Sequence, residues 1–192
     1  SGGQAQRWYE ITLTGQEAHA GPTPMPTRRD ALLGASRIVE AVNRIGLQHQ
    51  PGACATVGML QVHPNSRNVI PGSVFFTVDF RHPDDEILSI MDQHLREASE
   101  TTATEIGLVL EFEQIWHSPA VVFDERCVEA VRSGAQSCNY THMDIVSGAG
   151  HDACYVARVA PTGMIFVPCE GGISHNEIEA ATSEDLEAGC NV

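Results

Sequence analysis

The chain of 192 residues is 42% hydrophobic and 19% charged, a balance that excludes a disordered segment and provides for a sizeable core. Against 25 acidic residues stand only 11 basic ones, a formal net charge of -14 that repels phosphate backbones and argues against nucleic acid as a partner. No run of about 18 apolar residues occurs, so no membrane span is expected, and six cysteines without a C-x-x-C pair read as free thiols of a reduced, cytoplasmic protein.

Residues 1–6 read as a linker or cloning remnant. Residues 7–14 alternate Trp8, Glu10 and Thr12 with Tyr9, Ile11 and Leu13, the period of a strand. After a loop dense in glycine and proline, Thr27 is the expected N-cap of a helix over 28–45, and Gly46 its expected stop. Strands are expected at 53–62 and 73–80, with a turn-rich loop between them. A second helix opens at Pro83-Asp84-Asp85, whose acids suit a helix N-terminus, and runs to about 104 before a fourth strand over 107–117.

The order β-α-β-β-α-β over 7–117 predicts a ferredoxin-like domain, an antiparallel sheet with both helices on one face. From 118 to 192 the pattern changes to alternating α and β. A helix is expected over 124–138, a short strand at 143–146, a glycine loop at Ser147-Gly148-Ala149-Gly150 and a short helix from His151. A buried strand over 163–168 and a helix from Ser183 complete it. That stretch is too short for a doubly wound domain and reads as an incomplete α/β segment, so the fold class expected is mixed α/β (α+β).

Four loop clusters gather groups able to do chemistry. His19 sits in Glu17-Ala18-His19-Ala20-Gly21-Pro22, a loop rigid enough to hold a catalytic donor, or simply a turn that the histidine caps. Asn68 and Arg81 provide an amide and a guanidinium able to hold a carboxylate, although Asp79-Phe80-Arg81-His82 also fits a strand end with a local ion pair. The segments Gly148-Ala149-Gly150-His151-Asp152 and Ser174-His175-Asn176-Glu177 each follow an expected strand, the end of an α/β sheet where ligands bind. His175 is a credible metal ligand. A catalytic zinc takes three protein ligands, and the spacing of His142 and His151 does not supply the others. No G-x-S-x-G elbow, and no loop cysteine beside a promising histidine, points to a nucleophile.

Six motifs in one order carry a resemblance: GQEAHAGPTPM (15–25), RRDAL (28–32), PNSRNVIPG (64–72), VDFRHP (78–83), SGAGHDA (147–153) and SHNE (174–177). Together they resemble the N-carbamoyl-L-amino acid hydrolases, a group that includes β-ureidopropionase and allantoate amidohydrolase within the clan of dinuclear zinc aminoacylases and carboxypeptidases. The resemblance implies that residues 7–117 are the family's lid, which also forms its homodimer interface, and that 118–192 are the last part of its catalytic domain. By the same match His19 polarises the scissile carbonyl, Asn68 and Arg81 clamp the substrate carboxylate, the Gly150 backbone lines the pocket and His175 is a metal ligand. Two divalent ions, zinc, manganese, cobalt or nickel, would activate a bridging water, with a carboxylate as general base. The resemblance places the remaining ligands in an upstream half, so this chain alone is expected to lack hydrolytic activity. The expected substrate is a small N-carbamoyl amino acid or ureido acid. Two other readings stand beside it: a peptidase or aminoacylase of the same clan, and a free-standing ferredoxin-like module that dimerises or binds a small ligand without catalysis.

Overall fold

Gly2–Gly3 already form a strand, β1, and the chain continues through β2 (Ala5–Thr14), a short β3 (Ala18–His19), helix α1 (Ala31–Gln48) and β4 (Cys54–His63). Then follow β5 (Val69–Ile70), β6 (Ser73–His82), helix α2 (Asp85–Ile106) and β7 (Val109–Ser118). Beyond them come β8 (Val121–Val122), α3 (Glu125–Ser137), β9 (Val146–Ser147), α4 (Asp152–Val156) and α5 (Ser183–Asn191). This computed structural model describes residues 1–192, which divide into two compact units: residues 4–120, and residues 1–3 with 121–192. No helix is long and apolar enough to cross a membrane.

Within residues 4–120 the four long strands pair antiparallel in the order β4-β6-β2-β7. This is the ferredoxin-like order that the β-α-β-β-α-β pattern predicts. Alternate side chains of the central strands, Tyr9, Ile11 and Leu13 from β2 and Val74, Phe76, Val78 and Phe80 from β6, are buried. They pack with Ile38, Val42 and Ile45 of α1 and Leu88, Met91 and Leu95 of α2 in one cluster. Burying a side chain of this size stabilises the fold by about 1.5–3 kcal/mol. Register follows from the pattern, since a slip of one residue would turn each buried side chain to the open face.

The helix ends depart from expectation. Residues Met25–Thr27 form a 3-10 turn and Arg28 is extended, so Thr27 does not cap α1. Asp30 does, its carboxylate accepting from the Leu32 and Leu33 amides. Nor does Gly46 stop the helix, which continues to Gln48. A Cβ on Gly46 would stand 2.8 Å from the Ala55 methyl, so the glycine serves the close approach of α1 to β4. The C-terminal glycine of α2 is true to type: Gly107, at φ +74°, donates to the Ala103 and Thr104 carbonyls.

In the second unit, β1 lies between β8, antiparallel, and β9, parallel. The expected linker is therefore corrected at Gly2 and Gly3, which are buried inside a small sheet where side chains do not fit. A Cβ on Gly3 would stand 2.7 Å from the Cys154 sulfur, and one on Gly2 would collide with the Val121 carbonyl. Of the strand expected at 143–146, only Val146 is in β9. The run 163–168 forms no strand, and Ile165 and Phe166 are 45% and 41% exposed. A strand needs a neighbour for its backbone groups, and the two-residue ladders of this sheet do not extend to it. Helices α3 and α5 form as expected, capped by Asp124 and Thr182. All six cysteines are free.

Candidate functional site

His19 stands on a small ribbon beyond the end of the main sheet. The chain leaves β2 with the Gly15 amide bonded to the Gly72 carbonyl and the Gln16 amide to that of Arg29. It then pairs β3 with β5, setting Ala18 opposite Ile70 and His19 opposite Val69. The Ala20 amide donates to the Asn68 carbonyl at 2.9 Å, so His19 and Asn68 are held side by side by backbone bonds. The Gly21 amide donates to His19 Nδ1 at 3.1 Å. A neutral ring with Nδ1 accepting carries its proton on Nε2, which makes Nε2 the donor. The turn-capping reading and the donor reading thus describe one arrangement. Asn68 Oδ1 accepts from the Ser66 hydroxyl at 2.9 Å, so its amide nitrogen is the group that it offers.

Sequence reasoning missed the residue that closes this loop. The Arg28 guanidinium donates to the Ala20 carbonyl at 2.6 Å and to the Thr23 carbonyl at 2.9 and 3.1 Å, and the Thr23 hydroxyl donates to the His19 carbonyl at 2.7 Å.

Arg81 lies elsewhere. It is near the far end of β6, in register with Gln6 of β2 and Cys54 of β4. Between it and the start of β6 at Ser73 the strand rises roughly 26 Å at about 3.3 Å per residue, and Asn68 precedes that start. Within one chain, therefore, Asn68 and Arg81 do not close on the same carboxylate. Asp79 holds the guanidinium instead, accepting from Nε at 3.1 Å and from Nη2 at 2.6 Å. Those bonds raise the Arg81 pKa above its ordinary value. The local ion pair is the arrangement seen.

In the other unit, Gly150 is exposed in the loop before α4. His175 takes a left-handed backbone conformation, φ +58°, and its amide donates to Glu179 at 2.7 Å. Residues 175–179 line an open depression and are all exposed. His142 sits over the Tyr140 carbonyl and the His151 ring against Phe166. No group of three His, Cys, Asp or Glu side chains could hold a metal ion, so these residues do not by themselves fit a metal pair.

The profile of peptidase family M20/M25/M40 matches residues 14–192. N-carbamoyl-L-amino-acid amidohydrolase from Rhizobium meliloti is 47% identical over 185 residues, covering 96% of this chain and 44% of that protein. Allantoate amidohydrolase from Escherichia coli is 35% identical, covering 96% and 45%. Among solved structures, a hydantoinase/carbamoylase family amidase from Burkholderia multivorans is 68% identical with a TM-score of 0.95, covering all of this chain and 46% of that one. AtUAH in complex with glyoxylate is 30% identical with a TM-score of 0.93, with the same coverage. The chain spans about half the length of the relatives that it matches.

Proposed function

Because the chain belongs to peptidase family M20/M25/M40, we propose that it carries the carbonyl-polarising and carboxylate-binding side of an amidohydrolase that cleaves the carbamoyl C–N bond of N-carbamoyl-L-amino acids or a related ureido acid such as β-ureidopropionate or allantoate. The observation that carries this reading is the fixed His19, with Nδ1 occupied by the Gly21 amide and Nε2 left as the donor. Water adds to the carbamoyl carbon and charge develops on its oxygen, where a pre-oriented N–H donor is most effective. The bond to the amino nitrogen then breaks and that nitrogen gains a proton, releasing the amino acid and carbamic acid, whose remaining C–N bond breaks as it decomposes to carbon dioxide and ammonia. Arg81 supplies a planar fork for the substrate carboxylate, and Asn68 a second donor. Gly150 would offer its backbone to the substrate. His175 would be one ligand of the metal pair implied by the resemblance, which would activate the attacking water; this chain does not furnish the remaining ligands.

The separation of Asn68 from Arg81 supports a homodimer formed through residues 4–120, the lid of this reading. One substrate meets both groups only when the second copy supplies one of them. Light scattering is expected to give twice the 20.7 kDa chain mass; a monomer at micromolar concentration would overturn the shared site.

The hydrolysis test uses this chain alone and fused to the part of the Rhizobium meliloti relative that the match leaves uncovered. Ammonia release is followed with N-carbamoyl-L-amino acids, β-ureidopropionate, allantoate and dipeptides. The chain alone is expected to be silent, and the fused protein to turn over a carbamoyl or ureido substrate. His19→Asn should lower its kcat by about 10²–10³-fold. Preference for dipeptides would favour a peptidase, and an unaffected His19→Asn protein would remove the histidine from the mechanism.

A further inference from the structure

The loop between β3 and α1 has no regular ladder of its own beyond Ala20, yet its carbonyls converge on one side chain. Prolines at 22, 24 and 26 stiffen the path, and the 3-10 turn Met25–Thr27 brings Arg28 back toward it. The guanidinium makes a fork on two acceptors: Arg28 Nη2 bonds the Ala20 and Thr23 carbonyls, and Nε bonds Thr23 again. Ala20 follows His19 directly, and the Thr23 hydroxyl holds the His19 carbonyl. The guanidinium is half-buried and planar, so it fixes direction as well as distance. Behind it, Asp30 caps α1 and the Ala31 amide bonds the Pro71 carbonyl, which ties this clamp to the frame of the domain.

We propose that Arg28 is the positioning residue that sets the orientation and tautomer of the His19 imidazole, by holding the loop in the turn where the Gly21 amide reaches Nδ1. Arg28 touches no substrate; it acts through His19. The inference rests on the reading of His19 given above.

Nitrogen-15 spectra of the histidine rings, recorded on the whole 192-residue chain, test it without any need for hydrolysis. The wild-type chain is expected to show His19 in the Nε2–H tautomer with a protected Gly21 amide. Arg28→Ala should mix the two tautomers and speed Gly21 exchange by about tenfold or more, the loss expected for charged hydrogen bonds. Arg29→Ala removes the same charge one residue away, where the side chain is exposed, and should change neither signal. Arg28→Lys keeps the charge and the fold but lacks the fork, and should loosen the loop as well. If Arg28→Ala does not fold, Arg28→Lys decides. A wild-type ring already mixed in tautomer, unchanged signals in the deciding variant, or equal effects in Arg29→Ala would overturn the proposal. Hydrolysis by the His19→Asn fused protein tests the underlying reading separately, because the spectra report loop geometry alone.

Discussion

His49 closes the last turn of α1 and stacks on His94 of α2, with ring centroids 5.9 Å apart. Burial disfavours its charged form, and the neighbouring His94 and His82 add like-charge repulsion, so its pKa lies below the ordinary imidazole value. Its Nε2 is buried without a hydrogen-bond partner, which agrees with a neutral ring. Above the ordinary value of about 6.5 both folded and unfolded chains hold a neutral ring, and this residue adds no pH dependence to stability. As pH falls through that value the unfolded chain binds the proton first, so the folded state loses stability until its own lowered pKa is passed. Urea unfolding at pH 7.5 and 5.0 is expected to show a smaller loss on acidification for His49→Gln than for the wild-type chain. An identical loss in both would show that His49 is not a source of the acid sensitivity.

At the scale of elements, what was legible depended on whether the signal was local. Strand β2 could be read because Tyr9, Ile11 and Leu13 alternate with polar neighbours and are buried on one face. Gly107, expected as the first residue of a strand, ends α2 at positive φ instead, whereas Gly46, the expected stop of α1, serves close packing. The start of α1 was ambiguous for a similar reason. Thr27 and Asp30 are both good caps, and the choice was made by the proline-set turn at Met25–Thr27, which ends before the helix begins. Residues 163–168 are apolar without a period, and such a run becomes a strand only beside another strand. The candidate site divides in the same way. His19 and Asn68 stand out as polar groups in loops rich in glycine and proline, and the Asp79–Arg81 pair could be anticipated from its spacing. Arg28 could not be, because its role depends on carbonyls five and eight residues back, and no side-chain pattern records where a carbonyl points. The only trace in sequence is an arginine two residues after the last of the alternating prolines.

The two units differ in how much core each encloses, and this sets an expectation for the whole molecule. Residues 4–120 contain 20 buried hydrophobic residues, whereas 121–192 contain three: Phe123, Ala135 and Cys154. Within the second unit, α3 buries only Ala135 and α5 buries no residue. Local opening costs little where few apolar contacts are lost, and amides in such elements exchange without global unfolding. In β2 and β6, by contrast, each long strand is paired and covers the common core, so their amides should exchange only when the domain unfolds. Hydrogen exchange followed by mass spectrometry on the 192-residue chain should therefore show α3 and α5 exchanging by about 100-fold or more faster than β2 and β6. Addition of urea below the unfolding transition should hasten β2 and β6 far more than α3 and α5, since opening through global unfolding exposes more surface and is more sensitive to denaturant. Equal protection and equal urea dependence across the chain would mean that residues 121–192 open only together with the ferredoxin-like domain, and that buried area within each unit does not govern the order of opening.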